Sequence, residues 1–230
     1  MGALDAVAWA AVMLSLRVAV VATIISLPFA VVVAWLLARK RFWGRGLLNG
    51  LVHLPLVLPP VVTGYLLLLA FGTQGPIGSV LRDAFGITLA FRWTGAVLAA
   101  AIMAFPLTVR AIRLGFEAVP PGLEDAAGTL GASRARVFAT VTLPLIAPAV
   151  LAGAVLGFAK ALGEFGATIT FVAAIPGQTQ TIPSAIYGLL QVPGQGGAVV
   201  ALVLISVALA MGTLALAEWL SRRMAARIAG

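Results

Sequence analysis

The chain has 230 residues, of which 62% are hydrophobic and only 10% charged, with a mean hydropathy of +1.11. Soluble domains average about half apolar and a quarter charged, so this composition excludes an ordinary water-soluble globule and points to a bilayer. Cysteine is absent, which excludes disulfides, thiolate metal sites and cysteine nucleophiles, and the net charge of +8 must be explained by where the basic residues fall.

A membrane span needs about 20 mainly apolar residues to cross roughly 30 Å of hydrocarbon as a helix. The first candidate covers about 11–38, with Arg17 near its start and the cluster Arg39, Lys40, Arg41 at its end. This run is too long for the core of a cleavable signal peptide and no basic region precedes it, so it reads as a true span. The second covers about 51–71 and contains Pro59-Pro60, which can interrupt the helix and free carbonyls, with Thr63 and Gly64 one turn on. His53 lies at its start; a lone histidine with no ligand-type neighbour in sequence reads as packing or interfacial, and no metal site is expected. The third covers about 93–109, the fourth about 143–172 and the fifth about 198–217. The expected fold is therefore all-α, a polytopic membrane protein of about five helices in a single transmembrane domain over 1–230.

Arginine and lysine set the orientation. Segments 39–50, 110–142 and 218–230 are rich in Arg and Lys, whereas 72–92 carries only Arg82 and Arg92. Basic loops stay inside, which puts the N-terminus outside and the C-terminus inside, and leaves no charge that calls for nucleic acid. The soluble segments are too short to hold a domain of their own. There is no GxxxxGK[ST] phosphate loop, and Pro193-Gly194-Gln195-Gly196-Gly197 lacks the lysine and reads as an outside turn, so any ATP hydrolysis belongs to another subunit. With one histidine and no cysteine there is little from which to build a membrane-embedded enzyme.

Segment 110–142 is patterned rather than a plain connector. Pro120-Pro121-Gly122 breaks the preceding helix; Leu123, Ala126, Ala127 and Leu130 then recur at helical spacing, with Glu124 and Asp125 in a first turn whose dipole suits negative charge. Gly131 can end this short helix, and Ser133 can cap a second one through Arg134, Arg136 and Phe138 that stops before Pro144. The first helix offers a small face of Ala126, Ala127 and Gly128 to a partner; a helix lying on lipid head groups is the alternative.

Within the spans, Lys160 and Glu164 stand four apart, where they can neutralise each other on one helix face. They could instead line a pathway, but a free lysine there would trap an anion and a free glutamate would repel one, which favours a structural ion pair. Pro59, Pro60, Thr63, Gly166, Thr168 and Thr170 offer hydroxyls and irregular backbone suited to lining an anion path. Close helix packing explains the same small residues equally well.

The spacing Asp125-Ala126-Ala127, Gly131, then Val141-Thr142-Leu143-Pro144 resembles the EAA loop of ABC importer permeases, with aspartate for glutamate and valine for isoleucine. The runs from His53 to Val62, from Ala161 to Phe171 and from Ile175 to Pro183 are similar to permeases that carry molybdate. The resemblance implies a type I importer permease in the bacterial cytoplasmic (inner) membrane that itself catalyses nothing. Leu123, Glu124, Asp125, Ala126, Ala127, Gly128, Leu130 and Gly131 would couple it to the ATPase. It also implies a homodimer, two ATPase subunits that bind ATP and Mg while this chain binds no cofactor, and an extracytoplasmic oxyanion-binding protein. Tungstate, sulfate and thiosulfate are the alternative cargoes; a secondary transporter or channel is the rival that would need no such loop.

Overall fold

The computed structural model describes residues 6–229, and these are helical almost throughout. In chain order the helices are α1 (Ala6–Arg39), α2 (Arg45–Val57), α3 (Pro60–Phe71), α4 (Pro76–Phe85), α5 (Trp93–Ala118), α6 (Pro121–Thr129), α7 (Arg134–Val137), a π-helical turn (Phe138–Thr142), α8 (Leu143–Leu162), α9 (Gly166–Val172), α10 (Ile182–Leu190) and α11 (Gly196–Ala229). Four helical stretches are long and apolar enough to cross a membrane, and α2 with α3 makes a fifth if the bent pair counts as one.

Helix α5 is the axis of the packing, with α1 and α8 laid against it and against each other. Lipid tails are as apolar as leucine, so helices in a bilayer associate by close approach of small residues. Along α1 the buried positions Ala11, Ser15, Ala19, Ala22, Ser26, Ala30 and Ala34 form such a slender ridge at three- and four-residue spacing. Against α8 the approach is closer still: a Cβ at Gly153 would lie 2.9 Å from Ile112 Cγ1, and one at Gly157 would collide with Thr108 Oγ1. This Gly-x-x-x-Gly pair, unread in the sequence, fixes the α5–α8 contact. Helix α11 packs only lightly, on α8 and α10.

Polar groups at helix ends are satisfied over long distances. The Arg45 guanidinium donates to the Leu37 carbonyl at 2.6 and 3.1 Å, serving one of the unpaired oxygens in the last turn of α1. At the other end of α1, Ser15 Oγ accepts the Ile182 N–H at 2.8 Å, and α10 adds its own capping box through Thr181 and Ser184. A small cluster of Ala11, Val12, Ile182, Ala185 and Leu202 closes over that bond.

Several expected boundaries are corrected. The 51–71 span begins instead at Arg45 and is bent by 115° at Leu58-Pro59, because two consecutive prolines remove successive N–H donors. The 93–109 span continues to Ala118, taking the first residues assigned to the 110–142 loop into the bundle. The 143–172 stretch is two helices, parted at Gly163–Phe165. The second loop helix does not stop before Pro144 but runs through the π turn into α8: Leu143 N–H bonds back five residues to Phe138 O, and Pro144 follows in the first turn of α8. Segments 72–92 and 176–197, expected as outside connections, carry α4 and α10.

Candidate functional site

At the end of the bundle that carries residues 39–45, the chain leaves α5 at Val119 and turns through Pro120 into α6. Proline in the first turn suits a helix start, where its missing N–H would have no partner. The helix stops at a Schellman motif: Gly131, at φ +84°, donates to Gly128 O, and Ala132 donates to Ala127 O. Ser133 Oγ then accepts the Arg136 N–H at 3.4 Å and starts α7. Phe138 stacks on Phe116 of α5, with centroids 6.5 Å apart, tying the far side of the segment to the bundle.

The outward side of α6 differs from the expected small face. Leu123, Ala126 and Leu130 form an exposed ridge, Leu130 being 89% exposed, while Ala127 is half-buried on the inward side. Asp125, Gly128 and Gly131 are exposed as well. Glu124 faces inward: its Oε1 accepts from Arg39 Nη2 of α1 at 3.3 Å and from Thr142 Oγ1 at 2.8 Å. The same Arg39 nitrogen donates to Val119 O at 3.0 Å. Beside α6 lies an open cleft of about 870 Å³, lined by Trp35, Arg39, Lys40, Glu124, Asp125, Gly128, Arg134, Phe138 and Thr142 among others.

The second set of residues meets in the membrane-spanning part. The two helix breaks, Leu58-Pro59 and Gly163–Phe165, lie where α3 crosses α9. A Cβ at Gly64 would sit 2.5 Å from Ala167 O, and one at Gly166 would sit 2.6 Å from Pro60 Cβ. Pro59, Pro60, Thr63, Gly166, Thr168 and Thr170 are thus one locality, although they lie about a hundred residues apart in sequence. Thr168 donates its hydroxyl to Phe165 O at 2.8 Å and Thr170 donates to Gly166 O at 2.9 Å. Thr63 differs from both, since its buried Oγ1 has no partner. Lys160 Nζ donates to Glu164 Oε2 at 2.7 Å, and Glu164 Oε1 accepts the Ala167 N–H at 3.0 Å, so the carboxylate also caps α9. Glu164 is 2% exposed and wholly engaged in these bonds. His53 Nδ1 lies 2.8 Å from Asn49 O, and no cluster of metal-ligating side chains occurs among the described residues.

Residues 26–226 match the family described as "Binding-protein-dependent transport system inner membrane component". The chain is 60% identical over 214 residues, covering 93% of both sequences, to the "Molybdenum transport system permease protein ModB" of Escherichia coli (strain K12). It is 58% identical over the same shares to the protein of that name in Haemophilus influenzae. Among solved structures it is similar in fold to a bacterial ABC transporter involved in the import of alginate, with a TM-score of 0.75 at 17% identity, over 95% of this chain and 80% of that one. The chain belongs to the binding-protein-dependent ABC importer permeases and is a multi-pass protein of the inner membrane.

Proposed function

We propose that this permease conducts molybdate into the cell as one of two identical subunits, driven by a separate pair of ATPases and supplied by an extracytoplasmic binding protein. The observation that carries the cargo is the 60% identity over 93% of the chain, which leaves little beyond the termini outside the likeness to a molybdenum transport permease. In this reading the exposed ridge of Leu123, Ala126 and Leu130 enters a groove on the ATPase, and Asp125, Gly128 and Gly131 border it. ATP and Mg act on the ATPase subunits, whose closure draws the two α6 helices together and opens the path outward; hydrolysis resets it. The permease carries out no bond chemistry and binds no cofactor of its own.

The crossing of α3 and α9 borders the path. A dianion must be held weakly enough to leave, which favours neutral hydroxyl and backbone donors over a fixed cation. Thr63 holds a hydroxyl proton committed to no other group, although its Oγ1 is buried in the protomer and would have to be uncovered to meet an anion. Lys160 suits such a path poorly, because Glu164 already neutralises it at 2.7 Å. The placement of basic residues supports an outside N-terminus with α6 in the cytoplasm.

One preparation tests both parts: inside-out and right-side-out vesicles carrying permease, ATPase and binding protein. Cysteine introduced at Ser79 is expected to react from outside and at Ser133 from inside. Labelled molybdate uptake is expected to depend on ATP and to resist excess sulfate. Uptake that sulfate or thiosulfate abolishes at equal concentration would reassign the cargo, and inverted labelling would overturn the orientation.

A further inference from the structure

The inward side of α6 poses a question that docking does not answer. A helix of nine residues stands beside a cleft of about 870 Å³, resting on α7 and the π turn, and its outer ridge is bare. A push on that ridge reaches the spans only through what the inward side of α6 touches: α7, the π turn that continues into α8, and a set of polar side chains. The chain on either side of α6 offers no stiff connection: it enters through the Val119-Pro120 bend and leaves through Gly131.

The polar hub is one such link. Glu124 Oε1 is reached by Arg39, 85 residues away at the end of α1, and by Thr142, 18 residues away where the π turn meets α8. Thr142 is buried, and Arg39 also holds Val119 O at the point where the chain turns toward α6. One carboxylate oxygen thus joins the first turn of α6 to two different spans. We propose that Glu124 is a positioning residue for transport, holding α6 rigid with α1 and α8 through Arg39 and Thr142, so that displacement of the docked helix moves those spans instead of being absorbed in the loop. This rests on the reading of α6 as the ATPase-docking helix, but it assigns Glu124 to transmission within the permease and not to the docking surface.

A stabilising role alone does not account for the arrangement. The side chains of Arg39 and Glu124 keep 18% and 27% of their exposure, so the pair is only partly shielded from solvent, and a role in the fold does not by itself explain why one oxygen links α6 to two spans. Their effect on coupling is expected to exceed their effect on stability.

The test uses the full complex in liposomes with molybdate-loaded binding protein, reading three quantities for each variant: ATPase retained on affinity-tagged permease, the ratio of stimulated to basal hydrolysis, and molybdate taken up per ATP. Glu124→Ala and Thr142→Val are expected to retain the ATPase within about twofold while uptake per ATP falls about 5- to 20-fold, the lower part of the range of ordinary allosteric coupling factors. Glu124→Gln keeps an acceptor for both partners and is expected to recover most of the loss. The exchange Arg39→Glu with Glu124→Arg is expected to perform better than either single change. Unchanged uptake per ATP in Glu124→Ala would overturn the proposal; so would loss of the ATPase in that variant, which would make Glu124 a docking contact. The docking reading is checked separately by Ala126→Trp on the exposed ridge. If that variant still holds the ATPase, the docking helix has been misassigned, whatever Glu124 does.

Discussion

The segment around α6 and the crossing of α3 with α9 are built from similar residues, glycine, alanine, proline and threonine, yet they use them in opposite ways. Around Gly122, Gly128 and Gly131 an added Cβ would meet nothing within 4 Å, whereas at Gly64 and Gly166 it would run into Ala167 and Pro60. Small residues in the first region leave a surface bare; in the second they let two broken helices touch. The same composition therefore carries no fixed meaning until its neighbours are known. What a substitution disturbs should differ accordingly: partners in the first region, the chain's own fold in the second.

The largest effect on folding is expected at Glu164, which caps α9 and neutralises Lys160 from a site 2% exposed. Glu164→Gln should lower stability in detergent by about 3 kcal/mol, the low end for breaking a buried pair, because the Lys160 side chain keeps 31% exposure. Changing Lys160→Met and Glu164→Gln together should cost less than the single change, since no charge is stranded. A double variant as unstable as the single one would mean that the cap, and not the pair, matters.

Gly64→Ala comes next. Overpacking against a backbone oxygen costs about 1–3 kcal/mol, and the damage should appear in thermal unfolding of the isolated permease. Gly131→Ala should cost about 1 kcal/mol for a different reason, the left-handed backbone at φ +84° with open space around it. Should both alanines cost the same and both spare the ATPase contact, the contrast between the two regions would fail. The smallest effect on folding belongs to Ala126→Trp, within about 0.5 kcal/mol because the site is exposed, although this change is expected to abolish ATPase docking.

The two regions are also unequally legible in the sequence. Pro120-Pro121, Gly131 and Ser133 act on their own few residues, through a missing donor, a left-handed turn and a side-chain cap, so the outline of α6 and the start of α7 follow from local chemistry alone. The inward turn of Glu124 does not, because it depends on Arg39 arriving from 85 residues away. Pro59-Pro60 announces a break but not its 115° angle. The gap at Gly163–Phe165 is hidden by hydropathy, which averages over a window longer than the break. Gly153 and Gly157 are visible as letters, yet their purpose lies in Thr108 and Ile112 on another helix. The π turn leaves no local mark, and Pro144, which reads as a stop, lies in the first turn of α8.

The bond between Ser15 Oγ and the Ile182 N–H has a bearing on how the protein is made. Synthesis runs from the N-terminus, so α1 leaves the ribosome before α10 and α11. The partner of Ser15 is 167 residues behind it, and Leu202, which helps to cover the bond, comes later still. Until those residues arrive, the N-terminal half of α1 holds a polar side chain whose partner is not yet made. The nascent permease thus carries an unmade bond that closes only when α10 and α11 come into place, and a chain cut short before α10 would keep that site open to whatever surveys the membrane for unfinished proteins.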